Sequence, residues 1–278
     1  MTPDTTPDLD RYVVIGNPIE HSKSPQVHAL FAQQTRQAMA YDRLLAPMDG
    51  FADAVRNFMA QGGCGANVTV PFKLDAFKLA HELSPRAQAA GAVNTLSFSA
   101  GHIRGDNTDG IGLVRDIVIN TGIPLKGRSV LLIGAGGAAR GVILPLIEES
   151  IASLVIANRT QATAVSLVDH FSASPVPLSV SAFDQLDAVF DVIINATSAS
   201  LGSDLPPLPA AVFGPQTLAY DMMYGARPTV FMDYAAGHGA QVRDGLGMLI
   251  EQAAEAFHLW RGVRPDTRPV YQWLRGQL

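Results

Sequence analysis

Short runs of β-branched and aliphatic residues alternate with longer stretches of helical period, and that alternation limits what the chain can fold into. The runs fall at 12–15, 41–45, 66–70, 130–133, 154–157 and 192–195. Strands separated by helix-length segments predict βαβ units in a largely parallel sheet, because a parallel neighbour is reached by a crossover that a helix fills. The fold class expected is α/β. A length of 278 residues exceeds the roughly 100 to 200 typical of one domain, so two are expected. Their junction is placed in residues 112–127, where a helix over 111–120 gives way to Thr121-Gly122-Ile123-Pro124-Leu125-Lys126-Gly127. A last helix over 247–262 carries the stripe Leu249, Ala253, Ala256, Phe257 and Trp260 and stops at Gly262. That stripe needs a surface to cover it, and the first domain is the expected one.

Composition narrows the function. With 47% hydrophobic and 16% charged residues the chain can bury substantial cores, and a net charge of -5 argues against nucleic acid or an anionic membrane as partner. A small-molecule ligand fits better. The most apolar stretch, 130–147, is broken by Gly134, Gly136, Gly137, Arg140 and Pro145, which argues against a membrane span. Cys64 has no second cysteine to pair with and is expected as a buried structural thiol in a cytoplasmic protein. Residues 1–8 are polar and acidic, unlike a signal peptide, and are expected to fray.

Ser129-Val130-Leu131-Leu132-Ile133 has the pattern of a buried strand, and Gly134-Ala135-Gly136-Gly137-Ala138-Ala139 after it matches G-x-G-x-x-A at a turn into a helix. Gly134 permits the tight turn, Gly136 lets the backbone approach a pyrophosphate, and Ala139 allows close packing of helix on strand. Unpaired N–H groups at the helix start then attract the anion. A plain tight βα turn would also explain the pattern, but its context favours a dinucleotide. About twenty residues on, where an acid would hold the ribose of NAD, stands Asn158-Arg159-Thr160. An arginine there suits the 2′-phosphate of NADP, the alternative being a surface arginine beside a turn. Asn195-Ala196-Thr197-Ser198 places small polar groups at another strand end, as ligand contacts or as turn formers.

Reactive residues are sought in the first domain. Asn67-Val68-Thr69-Val70-Pro71-Phe72-Lys73 is an apolar run dotted with polar side chains that stops at a lysine, and Gly105-Asp106-Asn107-Thr108-Asp109-Gly110 reads as a polar loop. Lys73 and Asp109 form the candidate pair. Alternatively Lys73 opens a helix after Pro71 and Asp109 caps the next one. In His21-Ser22-Lys23-Ser24-Pro25, Ser24 before Pro25 has an N-cap signature, which leaves Ser22 unexplained. In an extended segment residues two apart point the same way, so both hydroxyls could face a substrate carboxylate.

Taken together these motifs resemble the shikimate dehydrogenase family. The matching residues are Gly16-Asn17-Pro18-Ile19-Glu20-His21-Ser22-Lys23-Ser24-Pro25, the run ending at Lys73, Gly91-Ala92-Val93-Asn94-Thr95, Asn107-Thr108-Asp109-Gly110, the Gly134 loop, Asn158-Arg159-Thr160, Tyr220-Asp221-Met222-Met223-Tyr224 and Gly245-Leu246-Gly247-Met248-Leu249-Ile250-Glu251-Gln252. The resemblance implies a substrate domain over 1–112, a Rossmann-type doubly wound NADP domain over 113–245, a cleft between them, and C-terminal helices over 246–278 packing back on the first. It implies reversible reduction of 3-dehydroshikimate to shikimate with NADP(H). Lys73 would be catalytic with Asp109 holding it charged and oriented, Ser22 and Ser24 would bind the carboxylate, and Thr69, Asn94, Asp109, Tyr224 and Gln252 would surround the ring. Gly134, Ala135, Gly136, Gly137, Ala138, Asn158, Arg159, Thr160, Met222 and Gly245 would hold the cofactor. Thr163 stands where many NADP-using relatives carry a second basic residue, which loosens the expected cofactor preference. Ala199-Ser200 replaces a frequent glycine. The rivals are a quinate or aminoshikimate dehydrogenase using NAD and a ligand-sensing relative without turnover. No metal is expected, since His21, His28, His81, His102, His170, His238 and His258 show no ligand-like spacing. The assembly expected is a monomer or homodimer.

Overall fold

Strands and helices alternate through the computed structural model, which describes residues 9–197 and 204–278. The stretch 1–8 and the positions Ser198, Ala199 and Ser200 lie outside the described residues. The chain divides into two units, one holding residues up to Thr108 with Gln252–Gln272, the other Asp109–Glu251 with Trp273–Leu278.

The first unit runs β1 (Asp10–Gly16), α1 (Ser24–Thr35), β2 (Met39–Leu45), α2 (Phe51–Ala60), β3 (Gly63–Val68), α3 (Lys73–Leu79), β4 (Glu82–Leu83), α4 (Pro85–Ala90), β5 (Thr95–Ser99) and β6 (His102–Asp106). These strands form one sheet in the order β2-β1-β3-β5-β6-β4. β1 lies parallel to β2 and β3, and β4 parallel to β6, whereas β5 is antiparallel to both β3 and β6. Continuous burial of the last five residues of β1 is what a parallel strand covered on both faces requires. α2 turns Phe51, Val55 and Phe58 onto the sheet, the spacing of a single helix face. Phe51 stacks on Phe72 with ring centroids 5.0 Å apart, which seats the start of α3.

The second unit begins with α5 (Asp109–Arg115), whose last turn is a π turn at Asp116–Asn120. It continues through β7 (Ser129–Ile133), α6 (Gly137–Glu148), β8 (Ser153–Ala157), α7 (Gln161–His170), β9 (Leu178–Ser181), β10 (Val192–Asn195), β11 (Leu218–Asp221), α8 (Val230–Gly237) and β12 (Gln241–Arg243). Every strand pairing is parallel and the order is β12-β11-β10-β7-β8-β9, so the chain starts centrally, winds outward, and returns to wind the other way. This is the doubly wound Rossmann topology, and its switch point falls between β7 and β10. Val130 and Leu132 of β7 pack with Val142, Ile143 and Leu146 of α6 in a fully buried core. The unit boundary crosses α9 (Leu246–Arg261) between Glu251 and Gln252, and α10 (Thr267–Arg275) follows. No helix among the described residues is long and apolar enough to cross a membrane.

Several expectations are corrected. β3 ends at Val68, so Thr69 and Val70 lie past the strand; Pro71 has no N–H to extend a ladder. The segment 105–110 is not a loop, because Asp106 closes β6 and Asp109 opens α5. The alternation of runs missed the β5–β6 hairpin, whose turn places Ala100 and Gly101 at φ of 48° and 78°. A turn with two left-handed residues matches the strand twist, but a Ser-Ala-Gly-His string does not announce it. Cys64 is half-buried rather than buried, with its sulfur near Asp10 Oδ1 and the Gly62 carbonyl.

Candidate active site

The nucleotide half of the candidate site is built at the β7–α6 turn. Gly134 holds φ of 106°, a left-handed conformation that L side chains resist, and a Cβ there would lie 3.1 Å from Thr197 Cγ2. Before Gly136 and Gly137 there is open space, with nothing within 4 Å of an added Cβ. The exposed residues Gly136, Gly137 and Ala138 thus present bare backbone at the start of a twelve-residue helix, a fit for a diphosphate. Ala139 is fully buried against the sheet, as close helix–strand packing requires. Beyond β8, Asn158 Nδ2 donates to the Thr160 carbonyl at 2.9 Å and shapes the turn that presents exposed Arg159. Asn158 and Arg159 line an open groove of about 670 Å³ with Gln161, Phe183, Asp184 and Leu208. Sequence reading missed Asp184 and Leu208, which reach the groove from elements distant in the chain.

At the other side of the switch point, Gly245 and Met222 are in close contact. A Cβ on Gly245 would sit 2.1 Å from the Met222 carbonyl oxygen, and Gly245 N–H donates to the Met223 carbonyl at 3.0 Å. Glycine is therefore a packing requirement there. Tyr224 follows β11 half-buried, and burial, followed by the charge of Asp244, pushes its hydroxyl pKa up. Asp244 in turn accepts from Arg275 Nη2 at 2.5 Å. Asp109 is the first residue of α5, where a carboxylate complements the helix dipole.

The first unit carries the remaining predicted residues. The Asn17 N–H donates to the Val70 carbonyl at 3.1 Å and the Thr69 N–H to the Ile15 carbonyl at 2.9 Å, so the loops after β1 and β3 are laced together. Gly16 makes this possible, since a Cβ there would lie 2.6 Å from Thr69 Cγ2. Ser22 and Ser24 do not sit in an extended segment. Lys23 occupies the N-cap position in a helical conformation, and Ser24 is already helical. The Ser24 N–H donates to Ser22 Oγ at 3.3 Å, which leaves the Ser22 hydroxyl proton directed elsewhere. Lys73 opens α3, half-buried, with its carbonyl accepting from the Val93 N–H at 3.0 Å.

Asn94 sits in a dense set of hydrogen bonds. Its Oδ1 accepts from the Thr108 N–H at 2.8 Å and from Thr95 Oγ1 at 2.9 Å, while Nδ2 donates to Thr108 Oγ1 at 3.0 Å and Gln252 Oε1 at 3.4 Å. Two residues outside the predicted set, Asn67 and Tyr41, extend this chain of bonds. Asn67 Nδ2 donates to Thr95 Oγ1 at 3.1 Å and its Oδ1 accepts from the Tyr41 hydroxyl at 2.7 Å. A buried network of this kind fixes each amide's orientation. The family motif contains Asn67, but its partners come from β2 and β5, which periodicity cannot pair. Beneath the network, burial alone would raise the Asp106 carboxyl, but the Arg86 guanidinium, Ser84 hydroxyl and Asn107 N–H outweigh it and hold its pKa below the usual range. Arg86 also reaches Glu255 Oε1 at 2.9 Å, tying α9 to α4 within this unit.

Three stretches match family models: residues 14–96 the shikimate dehydrogenase substrate binding domain, 118–202 shikimate/quinate 5-dehydrogenase, and 245–275 the shikimate 5′-dehydrogenase C-terminal domain. Shikimate dehydrogenase (NADP(+)) from Janthinobacterium sp. (strain Marseille) is 61% identical over 269 residues, covering 97% of this chain and 98% of the relative. The crystal structure of an Ael1 enzyme from Pseudomonas putida is similar at 51% identity and a TM-score of 0.92, over 95% of this chain and 98% of the other. Shikimate 5-dehydrogenase from Thermus thermophilus, solved in complex with NADP(H) and shikimate, is 32% identical with a TM-score of 0.86, over 97% and 100% of the two chains. On sequence and on fold, the chain belongs to the shikimate dehydrogenase family.

Proposed function

We propose that the protein catalyses the reversible NADPH-dependent reduction of 3-dehydroshikimate to shikimate, a step toward the aromatic amino acids. The observation that carries this reading is the bare glycine cradle at the α6 N-terminus, in a chain that also holds the Ser22/Ser24 pair and the Asn94–Gln252 network. Ser22 and Ser24 donate to the carboxylate, and Thr69, Asn94, Asp109, Tyr224 and Gln252 address the ring and its hydroxyls. Gly134, Ala135, Gly136, Gly137 and Ala138 hold the diphosphate, Asn158, Arg159 and Thr160 the phosphorylated ribose, and Met222 and Gly245 the nicotinamide end. When bound, NADPH supplies a hydride to the ketone carbon. Lys73 donates a hydrogen bond to the ketone oxygen, stabilises the negative charge that develops there and delivers the proton. In the reverse direction it takes the proton from the hydroxyl. Asp109 orients the lysine. The cytoplasm, where NADPH is supplied, is the compartment that suits this cofactor.

Steady-state rates with shikimate and NADP, measured beside quinate and NAD, test the assignment. The highest kcat/KM is expected for shikimate with NADP, and tight binding of shikimate without any turnover would instead indicate a ligand-sensing relative. A second reading, use of NAD, is favoured by one feature of the groove: Arg159 shares it with Asp184, and position 163 is a threonine. Charge-assisted hydrogen bonds contribute about 1.5 to 3 kcal/mol, so Arg159→Ala should raise the KM for NADP roughly tenfold or more and leave that for NAD within about twofold. Equal losses with both cofactors would remove Arg159 from the 2′-phosphate.

A further inference from the structure

The Ser22/Ser24 pair offers two hydroxyls and no charge, yet the ligand it is assigned is an anion. A cation fixed beside it is found on β2. Arg43 directs Nε and Nη2 onto the Ser22 carbonyl oxygen at 3.1 and 2.5 Å. Its side chain is exposed, and among the described residues no carboxylate pairs with it. A surface arginine held by a fork on a neutral carbonyl keeps its charge uncompensated, and the held geometry places that charge at the loop bearing Ser22. Tyr41, two residues earlier on the same face of the strand, donates to Asn67 at 2.7 Å. One edge strand thus holds both the loop bearing Ser22 and the Asn67 network.

We propose that Arg43 is a positioning residue for the substrate carboxylate, acting through Ser22: it locks the Ser22 carbonyl so that the hydroxyl is presented in one geometry, and its guanidinium supplies the positive field at the anchor. This rests on the assignment of Ser22 and Ser24 to the carboxylate. Two functions are combined in one side chain and can be separated. Arg43→Lys keeps the charge and loses the fork; Arg43→Met keeps the aliphatic length and loses both.

The test is KM and kcat for shikimate and for its methyl ester at low and high salt, in the parent, Arg43→Met, Arg43→Lys and Ser22→Ala. Arg43→Met is expected to raise the KM for shikimate about five- to twentyfold, at or below the low end for a directly lost charge-assisted contact because the arginine acts through Ser22, with kcat within about twofold and the KM for NADP unmoved. The ester, lacking the negative charge, should show less than about half of that KM change on a logarithmic scale, and the parent's salt dependence with the acid should flatten in Arg43→Met. Arg43→Lys should recover part of the effect and the salt dependence. A KM for shikimate unchanged in both arginine variants, or raised equally for acid and ester, overturns the proposal while a raised KM in Ser22→Ala leaves the anchor standing. Should Ser22→Ala itself bind shikimate as the parent does, the anchor assignment falls and the role of Arg43 with it.

Discussion

Lys73→Ala is expected to lower kcat for shikimate oxidation by about a hundredfold or more, the usual contribution of a positioned general acid–base group. The local structure is arranged so that this loss reports chemistry. Lys73 is the first residue of α3, and the helix is seated by its neighbour Phe72, fully buried and stacked on Phe51. The backbone carbonyl of residue 73 accepts from the Val93 N–H, in the segment before β5, at 3.0 Å, a bond that survives any side-chain change. Thermal stability should therefore stay close to the parent, and the KM for shikimate should move far less than kcat. Asp109→Asn is expected to cost less than Lys73→Ala, because in the proposed mechanism the carboxylate acts through the lysine. For the same reason the double variant should be no slower than Lys73→Ala alone, since residues that act as a unit are non-additive. Additive losses would separate Asp109 from Lys73, and an undiminished kcat in Lys73→Ala would remove the lysine from the reaction.

How far the sequence reveals such a site depends on the range of the interactions that build it. The Gly134 turn was legible because its requirement is local: a left-handed φ at one residue and bare backbone two residues on can be met by glycine and read from a short string. Gly247 is the opposite case. It stands in a motif assigned to the site, yet a Cβ there would lie 1.9 Å from Oδ1 of Asp116, a fully buried carboxylate that accepts from Tyr220 at 2.8 Å and Arg243 at 2.6 Å. Its small size is demanded by a buried ion pair assembled from three distant elements, and no pattern around residue 247 discloses that. Ser22 and Ser24 show an intermediate outcome. The polar pair is recognisable, but the segment is not extended; a helical Lys23 and the bond from Ser24 N–H to Ser22 Oγ set the two side chains instead.

His28→Phe is expected to make the protein more resistant to acid. His28 is fully buried on α1, stacked on Tyr41 with centroids 4.1 Å apart and planes 6° apart. Phe31, Phe257 and Trp260 complete its aromatic surroundings within the first unit. Neither ring nitrogen has a hydrogen-bond partner. Burial drives the imidazole pKa down to about 3, with the Asn67 side chain pulling weakly the other way. In the unfolded chain the same group titrates near its ordinary 6.5. Between these values the unfolded state binds the proton and the folded state does not, so stability is complete above pH 6.5 and is lost as the pH falls toward 3. At pH 4.5 the loss amounts to about 2 to 3 kcal/mol, at 1.36 kcal/mol per pH unit. Phenylalanine keeps the flat ring that stacks on Tyr41 and cannot take up a proton. Urea unfolding of parent and His28→Phe at pH 7 and pH 4.5 should give a smaller fall in stability for the variant by about that amount, whatever the offset at pH 7. Carboxylates such as Asp106 and Glu255, whose folded pKa values are also depressed, contribute equally to both proteins and cancel in this comparison. Parallel pH profiles for the two proteins would mean that His28 is reached by protons or water in the folded state, and the buried aromatic stack would then have to open below pH 6.5.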